Sequence, residues 1–111
     1  MEIQELKNQL SNLPEDVYQL EAKEIKALQK WKTKKAKYDF IYNIAFLGQE
    51  GTQKQKEAEV ITREDVKEAR KDEITAEAEY KLAVSKRKRL ERKFEAVRSL
   101  MSLEKELINK Q

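Results

Sequence analysis

The chain has 111 residues, 41% of them charged and 39% hydrophobic, with two glycines, one proline and a net charge of +3. Sheet proteins need glycine and proline at their turns, so this composition excludes most all-β designs and suits solvated helices. It has no cysteine and no histidine, which removes disulfides, thiolate ligands, and the commonest general base and transition-metal ligand. The longest mostly apolar run, Tyr38 to Leu47, is about half of what a membrane-spanning helix needs. The first residues show neither the basic flank nor the apolar core of a signal peptide. The expectation is a non-enzymatic, cytoplasmic, all-α protein with no cofactor, no metal, no membrane and no small-molecule substrate.

In chain order, Ile3, Leu6, Leu10 and Leu13 recur at helical spacing and predict a short helix over residues 1–12. Ser11, Asn12, Pro14, Glu15 and Asp16 then form a helix-start signal of capping types, first-turn proline and acids. A first long helix is expected over 14–47, either breaking from the first near Pro14 or kinking against it, through Val17, Leu20, Leu28, Trp31, Tyr38, Ile41 and Ala45, stopping at Gly48. Residues 48–61 hold both glycines and read as the hairpin loop, in part helical. Thr52 with Gln55 is one possible capping box, and Thr62 with Asp65 a looser one. A last helix is expected over 62–109, starting at one or the other.

That last segment repeats every seven residues. Val66, Glu73, Tyr80, Arg87, Phe94, Met101 and Ile108 form one set, and Ala69, Ala76, Ala83, Leu90, Val97 and Glu104 the second. Two such positions per heptad describe a coiled-coil seam. Folding the first helix back sets Ala45 on Val66, Tyr42 or Ile41 on Ala69, Trp31 beside Tyr80, Leu20 on Leu90 and Val17 on Phe94. The polar exceptions then coincide, with Glu24 opposite Arg87 and Lys35 near Glu73 and Glu77. Ile3, Leu10 and Leu13 would reach Ile108, Met101 and Val97. The fold class is therefore an antiparallel, coiled-coil-like helical hairpin, one domain over 1–111, with a short N-terminal helix.

A two-helix hairpin buries little surface. Phe40, Ile44, Phe46 and Leu47 crowd the loop end, and Leu100, Leu103 and Leu107 the other, with no place in a single seam. Unmatched patches of this kind mark an interface. A protein partner, or self-association to a dimer or larger helical bundle, is expected there. The acids Glu64, Asp65 and Glu68, or Asp72 and Glu73, could hold a hard cation with waters. Interleaved lysines make a solvated face the simpler reading.

Charge is blocked along the chain: residues 2–21 carry −4, 23–37 +6, 57–79 −5 and 81–98 +6. Pairing across the hairpin would set Glu15, Asp16, Glu21 and Glu24 near Arg87 to Lys93, and Lys32 to Lys37 near Asp72 to Glu79. Left over is a central basic band, in which Lys23, Lys26 and Lys30 face Lys81, Lys86 and Lys88. An alternative function is therefore contact with a nucleic-acid backbone through Lys26, Lys30, Lys86, Lys88 and Arg89. Trp31, Tyr38 and Tyr80 serve as seam residues rather than stacking platforms.

Over residues 23 to 105 the chain resembles small helical proteins encoded in the early recombination and replication regions of tailed phages. The features are Trp31, Ala36 and Tyr38 on a lysine-containing helix, the link Gly51-Thr52, then Arg63. The stretch Ala76 to Tyr80 and the late Arg98-Ser99-Leu100 before Leu103-Glu104 complete them. The resemblance implies an accessory or modulator of phage DNA recombination or replication in the bacterial host cytoplasm, with no catalytic residues. A small inhibitor of a host nucleic-acid enzyme is the remaining variant of that reading.

Overall fold

The computed structural model describes residues 3–110, without the side chains of residues 3, 6 and 10. It contains α1 (Ile3–Leu47), α2 (Gln53–Val60) and α3 (Glu64–Asn109), and no strand among the described residues. The long helices α1 and α3 pack against each other as an all-α helical hairpin. Contacts sort into two compact units, one of residues 1–24 with 82–111 and one of residues 25–81.

α1 does not break at the expected start signal. It runs through Pro14 as one 45-residue helix, so the separate helices over 1–12 and 14–47 merge. Proline cannot donate to the carbonyl four residues earlier, so one helical hydrogen bond is missing there. Pro14 is exposed, and its neighbour Leu13 is 6% exposed and anchors the turn. Ser11 is no cap either, because its hydroxyl donates to the Asn8 carbonyl at 2.9 Å.

The link after Leu47 uses both capping signals differently. Thr52 Oγ1 accepts from the Gln55 N–H at 3.3 Å, and Gln55 Oε1 accepts from the Thr52 N–H at 3.0 Å. This reciprocal box starts α2, an eight-residue helix inside the expected loop. Gly51 has φ +116°, and a Cβ there would lie 2.6 Å from the same Gln55 Oε1. The second box does not form. The Thr62 hydroxyl donates backward to the Glu59 carbonyl at 2.6 Å, closing α2. Asp65 instead accepts from the Val66 N–H and from Arg63, at 2.9 and 3.1 Å.

The unit of residues 25–81 has its core where α2 returns: Ala45, Val60 and Val66 are buried, with Tyr38, Ile41, Tyr42 and Phe46 packed around them. Ala69, Glu73 and Ala76 continue the buried stripe. Trp31 stacks on Tyr80 at 5.6 Å between ring centres. In the other unit Leu13 and Val97 are buried, and Leu20 and Leu90 line one groove. All thirteen heptad positions of α3 but one face inward wholly or in part. The exception is Ile108, 57% exposed. The expected contacts of Ile3 and Leu10 lie outside the described side chains.

Candidate interaction faces

Within the unit of residues 1–24 and 82–111, Arg87 is the one member of the Lys86–Arg89 run that turns into the seam. Its Nε and Nη2 both donate to the Glu24 carboxylate, and its Nη1 donates to Glu91 at 2.9 Å. The two side chains are only 22% and 17% exposed. Glu24, then Glu91, hold the guanidinium well above its ordinary pKa, so the charge persists at any working pH. Fork-to-carboxylate pairing has strict geometry, and it fixes which turn of α3 meets which turn of α1.

In the unit of residues 25–81, Lys30 pairs with Glu79 at 3.0 Å on an exposed face. Arg70 pairs with the buried Glu73 at 2.6 Å, and its guanidinium lies over the Tyr38 ring at 5.4 Å. Glu73 and then Tyr38 and Glu77 raise the Arg70 pKa. Lys81, bonded to Glu77 at 2.9 Å, holds that carboxyl below its usual range. Arg63 does the same for Asp65.

These pairs revise the expected charge pattern. Cross-hairpin pairing reduces, among the described residues, to Glu24–Arg87 and Lys30–Glu79, and the other pairs are local. Lys30 and Lys81 are therefore neutralised members of the proposed central band. Of its candidate phosphate contacts, Lys26 and Lys30 belong to one unit, and Lys86, Lys88 and Arg89 to the other. Among the described residues no three acids gather as a cation site: Asp65 faces Arg63, and Glu73 faces Arg70.

The expected apolar interface divides differently from the sequence reading. Phe40, Ile44 and Leu47 are 65%, 55% and 81% exposed and lie at i, i+4 and i+7, one ridge on the outer face of α1. Phe46 does not join them. It stacks on Tyr42 with ring centres 6.3 Å apart, packs on the buried core, and carries the Lys56 ammonium 5.3 Å above its ring. α2 brings Lys56 and Val60 to that place, which a structureless loop would not. On α3, Leu100, Leu103 and Leu107 are all exposed, and Ile108 joins them. Exposed apolar side chains that sequence reasoning missed are Tyr18, Ile25, Ile61, Ile74 and Leu82. The outer-face spacing of Tyr18 and Ile25, seven apart, was the available signal.

A hollow of about 150 Å³ lies between α1 and α3, floored by Leu13, Leu90, Phe94 and Val97 and bordered by Asp16 and Lys93. Among the described residues no helix is long and apolar enough to cross a membrane. Compared with known protein families, curated proteins and solved structures, the chain matches none.

Proposed function

We propose that this chain is a non-enzymatic helical adaptor that acts by binding another protein, a second copy of itself included. The carrying observation is the ridge of Phe40, Ile44 and Leu47, which contributes little to its own core. Fully burying such side chains is worth roughly 1.5–3 kcal/mol each. Corrected for their present exposure, the ridge supplies about 3–6 kcal/mol. Association costs at least about 4 kcal/mol in lost freedom, so a stable complex must also engage further surface. Leu100, Leu103 and Leu107 are the corresponding patch on α3. The resemblance to helical proteins of phage early regions directs the search for a partner to recombination and replication proteins.

Light scattering on a size column, followed by capture from a bacterial lysate, tests this reading. The expected result is a mass above the monomer or stoichiometric retention of one partner. The triple variant Phe40→Glu, Ile44→Glu, Leu47→Glu should abolish either while far-UV helicity is kept. A wild-type monomer at every concentration, with the same lysate retention as the variant, would overturn it.

A further inference from the structure

We propose that the exposed side of α3 from Lys86 to Lys93 binds the phosphate backbone of a nucleic acid. The inference goes beyond the adaptor reading and uses none of its apolar residues. Six cations fall within these eight positions, and Arg87 alone turns inward. In doing so it engages both Glu24 and Glu91. Among the described residues, Lys86, Lys88, Arg89, Arg92 and Lys93 make no ion pair. Asp16 borders the same hollow as Lys93 without pairing with it, and Glu95 pairs with none of the five.

Their spacing selects the ligand. Lys86, Arg89 and Lys93 follow i, i+3 and i+7, one row along the helix, and with Leu20 and Leu90 they line an open groove. Lys88 and Arg92, four apart, form a second row beside Arg89. At about 1.5 Å per residue the first row spans about 10 Å, the rise of about three phosphates on one strand of a duplex. Five like charges on two turns repel one another. A regularly spaced polyanion relieves that repulsion and gains the entropy of released counterions. Cations that meet phosphates position a strand without reading its sequence.

The test is fluorescence anisotropy of the full chain with labelled oligothymidine of about 20 nucleotides, and with a mixed-sequence duplex, from about 50 to 200 mM salt. Binding to at least one is expected at low salt. For three contacts at about 0.7 counterions each, single-strand affinity should fall about twentyfold over that range. The variant Lys86→Glu, Arg89→Glu, Lys93→Glu should lower affinity at least about tenfold at low salt. Lys32→Glu, Lys37→Glu, Lys71→Glu, with the same change in net charge, should alter it by about threefold at most. Should the first variant lose helicity, Lys86→Gln, Arg89→Gln, Lys93→Gln is held to the same criterion. Absence of binding at low salt, equal losses in both charge-reversal variants, or an unaffected first variant would each overturn the proposal. So would polyglutamate competing as well as the oligonucleotide at equal charge, which would point to an acidic protein instead.

Discussion

Shortening Val60 to alanine tests how α2 is held. An isolated helix of eight residues is marginal in water, and Val60 is its one buried side chain, with no exposed surface. Val60→Ala removes two methyl groups, about 1.6 kcal/mol of transfer free energy at roughly 0.8 kcal/mol per carbon. If the site does not collapse, a void of about 50 Å³ adds about 1.2 kcal/mol. The docking of α2 should therefore weaken by about 1.5–3 kcal/mol, and amides of Glu57 to Ile61 should exchange about ten- to a hundredfold faster. Val97→Ala deletes the same atoms from a residue on α3 in the other unit that is 5% exposed. There the loss falls on α1–α3 packing, so Tm should drop by several degrees, without selective opening of α2. Hydrogen exchange with mass spectrometry, run beside a thermal melt, separates the two. Exchange in α2 within about threefold of the parent in Val60→Ala would refute the reasoning.

Pro14→Ala restores the missing helical donor inside α1 and should raise stability by up to about 3 kcal/mol of helix propensity less the stiffness lost from the unfolded chain, read as a higher Tm; a lower Tm would mean the proline is needed. Glu73→Leu replaces the buried charge of the seam with an apolar side chain while its partner Arg70 stays half exposed, so stability in urea should hold or rise by about 1 kcal/mol. Asp65 has its pKa lowered from 3.8, chiefly by Arg63. Its contribution is complete above the ordinary value and is lost as pH falls through the lower folded one. Asp65→Asn should therefore reduce stability at neutral pH and flatten the acid side of the stability curve, followed by circular dichroism.

The hairpin was legible because its seam carries mistakes that match. Glu24 and Arg87 would each be costly alone in an apolar stripe, and their coincidence selects the register, as does the meeting of the large Trp31 with Tyr80. The seam of α3 is a one-dimensional pattern and needs no tertiary knowledge. Pro14 was misread because its signal is local, and local preference yields to packing when Leu13 is held on the same turn. Phe46 was misread for the opposite reason. Helical phase puts it four after Tyr42, off the ridge of Phe40, Ile44 and Leu47, but only the return of α2, bringing Val60 and Lys56, covers it. The charge band was legible as composition but not as pairing, since choices among lysine partners such as Lys30 with Glu79 depend on rotamers rather than on spacing.

Trp31 is the sole tryptophan, and it lies stacked on Tyr80 in the unit of residues 25–81. Its emission is a built-in optical probe of that unit alone, while far-UV ellipticity averages over the whole helical backbone. Denaturant titrations followed by the two signals amount to a cooperativity assay that requires no label. Superimposed curves mean that the hairpin melts as a single thermodynamic body. Separated midpoints mean that its two units come apart in sequence.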